Sequence, residues 1–479
     1  MEVGNLRASA PLLDSYLTYL EDGNQPFTTP GHKQRAKLLD AGLGRVVDQD
    51  VPLYGGLDEI KLTHGVLEKA EALAAQLWNA DWLRFSTGGS THANQTIIFS
   101  LGQPGDKVAI SRTAHRSALT AIVLAGLEPI WLVPEIDPAT GVPIGIPLAE
   151  VQRALSENPI ALILTEPGYL GTLSDLPTLI DAAHEKNTPV IIDAAWGGHF
   201  GFHPSLPAHP MQLNADAFVT SIHKALPGYS AAAIAVARTT RLDHARLEQG
   251  FESTHTTSPA GATLASIDGV RALMQLHGAE LIERLILNVN EFRSRLTSEF
   301  GDEILLKAED FAPGRFDPVK LVMRANILGA DGIDIENDLI ASNIRVEMAD
   351  RDTLIFEVTI ADDESTFKRL GDVLIPILRN HVGKSRKSAT AFSWTITPQK
   401  GASLREAYFG RSELVDAKEA IGRISVDLVA PYPPGVPVLA PGEIITKEIL
   451  DGLLEVKAEG TRIAYATDHT LRQFRVLAT

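Results

Sequence analysis

The sequence predicts an α/β protein whose main domain is a mostly parallel sheet covered by helices on both faces. Two observations carry that prediction. Between about residues 80 and 240, short continuous apolar runs alternate with longer amphipathic segments. Strands buried on both faces read as continuous runs, whereas half-exposed strands alternate apolar with polar positions. Several runs also end in Gly, Ser, Asp or His just before a helical pattern. That is the chemistry expected at the carboxyl edge of an open sheet, where ligands bind.

The strand-like runs, in order, are "DWLRFST", "DKVAIS", "EPIWLV", "IALILTE", "TPVIIDAAW", "DAFVTSI" and "AAIAVA", with helical patterns such as "THANQTIIFSLG" and "SALTAIVLAG" between them. A second pattern starts near Gly278 with the helical "AELIERLILNVNEFRSRLTSEFG" and continues through "PVKLVMRA", "GIDIENDLIASN" and "RDTLIFEVTI". It reads as a smaller α/β unit. The polar, basic stretch Asn380 to Ser393 reads as a linker, and "LVAPYPPGVPVLAPGEIIT" as extended and loop-like. The expected division is therefore an N-terminal arm (1–60), a large domain (61–283), a small α/β domain (284–379), the linker (380–393) and a C-terminal domain (394–479). A chain of 479 residues is too long for one core, which fits two or three domains.

Composition narrows the function. The net charge of −17 argues against nucleic-acid or anionic-membrane partners. The absence of cysteine excludes disulfides, thiolate catalysis and cysteine-ligated zinc, and no metal site is predicted. The N-terminus lacks a basic region followed by an apolar run, and no apolar run approaches the ~20 residues of a membrane span. A cytoplasmic location is expected.

At the strand ends the residues become specific. "WLRF" is followed by "STGGSTHANQ" and a helix, small residues that let a backbone approach an anion at a helix N-terminus. His115 follows "KVAIS", Asp193 and Trp196 follow "PVIID", and Ser221, His223 and Lys224 close "AFVTSIHK". Each has a bland reading as a cap or a surface charge. Together they offer a phosphate cup, a planar histidine, a buried carboxylate and an amine. Pyridoxal phosphate uses all four.

These segments resemble the fold-type-I basic amino acid decarboxylases, the ornithine/lysine/arginine group, in their short form. The resemblance is carried by "TTPGHKQ", "GGLDEI…GVLEKAEALAAQLWNAD", "STGGSTHANQ", "GDKVAISRTAHRSALTAIVLAG", "DAAWGGHFGFHP", "ADAFVTSIHKALPGYSAA" and "GRISVDLVAPYPPGVPVLAPGE", in family order from about Thr28 to Glu443. It implies an aminotransferase-like large domain, pyridoxal phosphate as cofactor, and decarboxylation of a basic amino acid. It implies Lys224 as the lysine that takes the cofactor aldehyde, with Ser221 and His223 on the phosphate. Gly89, Ser90 and Thr91 match the phosphate cup, His115 the histidine stacked on the ring, Asp193 the carboxylate on the ring nitrogen and Trp196 a neighbouring contact. At about 4 Å and an effective dielectric of ~20, such a carboxylate is worth about 4 kcal/mol to a protonated ring nitrogen. The segment Glu252 to Val270 matches one that faces the partner subunit's cofactor, which implies at least a homodimer with Thr257 and Ser258 reaching the neighbour's site.

The substrate is open between arginine, lysine and ornithine. Short members lean toward arginine, which is adopted here, and Glu347 is a candidate distal carboxylate. The proton donor to Cα is open between His115, His223 and Lys224. Two other readings remain: another reaction of the same cofactor (aldol cleavage, elimination or racemisation), and a non-catalytic binding protein of the same fold.

Overall fold

The computed structural model describes residues 3–23, 30, 32–38, 40–47, 49–51, 65–136, 143–383, 398–432, 437–458 and 460–478. Residues 55–60, most of the linker (384–393) and residues 433–436 of the Pro/Gly-rich stretch lie outside them. Two compact units interleave along the chain: Met1–Leu101 with Pro189–Glu283, and Gly102–Thr188 with Arg284–Thr479.

All seven apolar runs form strands: β1 (Trp82–Ser86), β2 (Lys107–Ser111), β3 (Glu128–Leu132), β4 (Leu162–Thr165), β5 (Val190–Asp193), β6 (Ala217–Ser221) and β7 (Ala233–Ala237). In the first unit the order is β1-β7-β6-β5. β5 and β6 are parallel, with Asp193 opposite Val219. β7 is the reversed strand, and it sets the site. Ser86 at the end of β1 and Ser221 at the end of β6 both face Ala233 across it. The chain leaving β1 therefore emerges two strand spacings, roughly 10 Å, from the chain leaving β6. Every residue of β5, β6 and β7 is buried, as their unbroken apolar character requires.

In the second unit β4, β2 and β3 lie side by side in that order and parallel, with Ala109 opposite Leu162 and Lys107 opposite Glu128. Helices follow the strands: α1 (Gly89–Phe99) after β1 and α2 (Arg116–Ala125) after β2. α2 ends on Gly126 at φ 74°, a left-handed position that glycine takes without strain.

Helix α3 (His244–Thr254) leads to α4 (Gly261–Phe300), which starts well before the Gly278 boundary suggested by the sequence pattern. Interior glycines obscure it, since glycine is a poor helix former. They serve close packing instead: a Cβ at Gly269 would meet Leu13 at 3.0 Å, and one at the first residue of the helix, Gly261, would meet the Val51 carbonyl at 2.5 Å.

The smaller α/β pattern is an antiparallel sheet in which Thr353–Phe356 is central between Leu321–Arg324 and Met348–Ala349. Helices Gly332–Ala341 and Glu364–His381 accompany it, the latter started by a capping box between Asp363 and Thr366. In the C-terminal part, Val429, Leu439, Ile449, Leu453, Leu471 and Val476 form a core. The Pro/Gly-rich stretch there is held by a fork invisible in the sequence. Buried Arg112 donates from Nη1 to Glu443 Oε1 at 2.5 Å, from Nη2 to Oε2 at 2.9 Å, and from Nε to the Pro437 carbonyl at 2.9 Å.

Candidate active site

The turn between β1 and α1 is built around Gly89 at φ +68°, in the left-handed region that glycine alone takes without cost. Its N–H donates to the Ala231 carbonyl at 2.8 Å, and its carbonyl accepts the Ser86 hydroxyl at 3.1 Å. Ala231 lies two residues before β7 and is itself left-handed, at φ 66°. This turn presents Ser90 toward the end of β6, where its Oγ lies 2.6 Å from Ser221 Oγ. Two hydroxyls and the first N–H groups of an eleven-residue helix form a corner that could hold an anion.

Beyond Ser221 the chain turns sharply, with the Gly228 N–H donating to the Ile222 carbonyl at 2.6 Å. A Cβ at Gly228 would sit 2.4 Å from that oxygen, which explains the Pro-Gly and small residues after the lysine. The turn holds Lys224 with its Nζ 4.0 Å from the centre of the Trp196 ring. His223 donates from Nδ1 to the Ala232 carbonyl at 2.9 Å, which leaves Nε2 as the acceptor of the neutral ring.

Asp193, at the end of β5, is 2% exposed. Its Oδ2 accepts from Asn94 Nδ2 at 2.8 Å and its Oδ1 from the Ala195 N–H at 3.3 Å. The first unit alone thus brings together seven of the residues singled out from the sequence: Gly89, Ser90, Asp193, Trp196, Ser221, His223 and Lys224. They fit a phosphorylated pyridine aldehyde: hydroxyls and helix N–H groups for the phosphate, a buried carboxylate for the ring nitrogen, an amine for the aldehyde.

The Orn/Lys/Arg decarboxylase major domain matches residues 10–366, and the C-terminal domain of the same family matches residues 386–462. The chain belongs to the Orn/Lys/Arg decarboxylase family. Arginine decarboxylase of Bacillus subtilis (strain 168) is 32% identical to this decarboxylase over 468 residues, 94% of each chain. Arginine decarboxylase of Halalkalibacterium halodurans is 31% identical over 480 residues, 98% of this chain and 97% of the relative. The crystal structure of the Francisella novicida lysine decarboxylase superposes with a TM-score of 0.81 at 20% identity, covering 98% of this chain and 81% of that one. The fold is that of the fold-type-I pyridoxal-phosphate enzymes, and the protein is a pyridoxal-phosphate-dependent decarboxylase of basic amino acids.

The remaining residues singled out from the decarboxylase sequence are placed as follows. Thr91 is an exposed residue of the first turn of α1. His115 is exposed in the second unit and is the N-cap of α2, its Nδ1 accepting from the Ser117 hydroxyl at 2.8 Å and the Ser117 N–H at 3.3 Å. Thr257 and Ser258 are exposed in the turn between α3 and α4, with the Ser258 N–H donating to Thr256 Oγ1 at 3.2 Å. Glu347 lies in the second unit beside the edge of its small sheet, its N–H donating to the Ile355 carbonyl at 3.0 Å.

Sequence reasoning missed Asn94 and His92, which hold the site from behind. His92 Nδ1 is 2.8 Å from Ser86 Oγ, its Nε2 is 3.2 Å from the Phe251 carbonyl, and burial holds its imidazole below the usual histidine pKa. Helical spacing was the available signal for Asn94: it follows Ser90 by four residues and shares its face of the helix. Among the described residues no helix is long and apolar enough to cross a membrane, and no cluster of side chains could hold a metal ion.

Proposed function

We propose that this decarboxylase acts on arginine, with Lys224, Asp193 and His115 in catalytic contact with pyridoxal phosphate. Gly89, Ser90, Thr91, Trp196, Ser221 and His223 complete the cofactor's surroundings. The observation that carries the reading is the convergence at the ends of β1, β5 and β6: the Ser90–Ser221 pair, the buried Asp193 and Lys224 over Trp196. Pyridoxal phosphate, when bound, supplies an electron sink for the pair left behind by departing CO2. Lys224 would supply the amine that holds the cofactor aldehyde. Asp193 holds a proton at the ring nitrogen, which a sink needs. Ser90 and Ser221 bind the phosphate, and His223, Lys224 or His115 returns a proton to Cα.

Arginine is favoured over lysine and ornithine because four relatives, 30–32% identical over 90–98% of this chain, are named arginine decarboxylase. We read the working form as a cytoplasmic homodimer in which Thr257 and Ser258 complete the neighbour's site. We retain the five-part division of the chain, with the cofactor bound by residues 61–283.

Borohydride reduction of the holoenzyme followed by peptide mass spectrometry tests the site, and CO2 release from the three amino acids tests the substrate. Cofactor mass should appear on the peptide carrying Lys224 and vanish in Lys224→Ala, with arginine turned over fastest. Cofactor fixed on another lysine sinks the assignment of Lys224, and faster release from lysine or ornithine sinks the substrate.

A further inference from the structure

We propose that Asn94 is a positioning residue for Asp193, tying the carboxylate to the same helix that carries Ser90, so that one rigid element sets both ends of the cofactor site. The inference rests on reading Asp193 as the partner of the ring nitrogen.

Asn94 and Asp193 are each 2% exposed, and Asn94 Nδ2 donates to Asp193 Oδ2 at 2.8 Å. Ser90 and Asn94 lie four residues apart on α1, about 6 Å along its axis and on one face. One bonds the serine at the end of β6 and the other the aspartate at the end of the adjacent, parallel β5. Strand ends run into turns, and turns alone fix a side chain poorly. A helix spanning both strand ends converts two independent loop positions into a fixed separation.

The amide is also the nearer of the two donors that hold the carboxylate in place. Apart from Asn94, Asp193 receives the Ala195 N–H only at the longer 3.3 Å. An amide suits this task better than histidine or lysine. It donates at every pH and brings no positive charge to compete with the protonated ring nitrogen for the same carboxylate.

The test compares Asn94→Leu, Asn94→Asp, Asp193→Asn and the double variant Asn94→Leu/Asp193→Asn with the wild-type enzyme. Apoenzyme is titrated with pyridoxal phosphate, the bound-cofactor absorbance is titrated with pH, and melting of each apoenzyme is recorded. Asn94→Leu and Asp193→Asn should each weaken cofactor affinity by about ten-fold or more, the worth of a hydrogen bond to a charged group. Both should move the pH midpoint of the bound-cofactor spectrum in the same direction. The double variant should bind within about two-fold of Asp193→Asn alone, because both changes act through one carboxylate. Asn94→Asp keeps the side chain's shape but replaces the neutral amide with a second carboxyl set against Asp193, so cofactor affinity should fall as in Asn94→Leu even where its melting temperature matches wild type. If Asp193→Asn weakens binding while both Asn94 variants leave affinity and pH midpoint at wild-type values, Asn94 merely packs α1 and the proposal is wrong. If Asp193→Asn itself changes neither, the reading of Asp193 fails and takes the proposal with it.

Discussion

The strand end at β4 carries a second buried carboxylate. Glu166 is 4% exposed and bonds Ser174 twice, accepting the hydroxyl at one oxygen and the N–H at the other, the latter at 3.0 Å. Burial pushes its pKa from 4.5 up to about 7, against the opposing pull of the Ser174 bonds and the Arg315 charge. Folding therefore favours the protonated acid. The associated stability is fully present below pH 4.5 and is lost as pH rises through 7, by about 3 kcal/mol on linkage arithmetic. Glu166→Gln removes the titration and forfeits one of the two Ser174 bonds, about 1 kcal/mol. The variant should melt slightly below wild type at pH 5 and above it at pH 8. A melting difference that stays flat between those values would mean that Glu166 does not titrate there.

At the scale of the element, the helix Pro11–Glu21 shows how a start signal can come from far away in the chain. Its own N-cap is Ala10, which has no side-chain acceptor. The acceptor is Asp268 on α4, whose Oδ2 takes the Leu12 N–H at 2.8 Å and the Leu13 N–H at 3.4 Å. Its Oδ1 pairs with Arg271 Nη2 at 2.5 Å, and Arg271 also donates to the Ser9 carbonyl, so the pair secures the segment on both sides of the helix start. Both side chains are 1% exposed or less, so losing one partner strands a buried charge. Asp268→Ala should cost about 3–5 kcal/mol and speed amide exchange at Leu12 and Leu13. A loss under about 1 kcal/mol would show that neither the cap nor the pair matters to the fold.

For the whole molecule, the consequential claim is the shared site. Thr257 and Ser258 lie exposed between α3 and α4, where a neighbouring subunit can receive them. A second subunit can close a cleft to water where one sheet edge cannot. A permanent interface of this kind should exceed roughly 2,000 Å², so activity per subunit should survive dilution to the nanomolar range. Mixing Lys224→Ala with a variant disabled at Thr257 and Ser258 gives the sharper test. Once differently tagged chains are seen to exchange, hybrid dimers carry one intact site, and activity should return toward about a quarter of wild type. Exchange without recovery would assign the two residues to their own subunit's chemistry or to none.

The sequence alone determined the seven strands, because each reads as a short, mostly apolar run, and in β5, β6 and β7 every residue of that run is buried. It also determined which residues end them, because ligand chemistry collects at carboxyl ends. Lys224, Asp193, Ser221 and the Gly89–Ser90 turn were legible on that basis, and family order supplied the chemistry. Tertiary structure decided which strand ends meet. That Ser86 and Ser221 share Ala233 across a reversed strand is a matter of pairing register, and a local apolar pattern does not encode its partner. The same limit hid Asn94 behind Asp193, Asp268 beneath the Pro11–Glu21 helix and Arg112 against Glu443. Each is a buried polar group whose partner lies far along the chain. Burial makes a partner obligatory, but only the folded chain determines which residue it is.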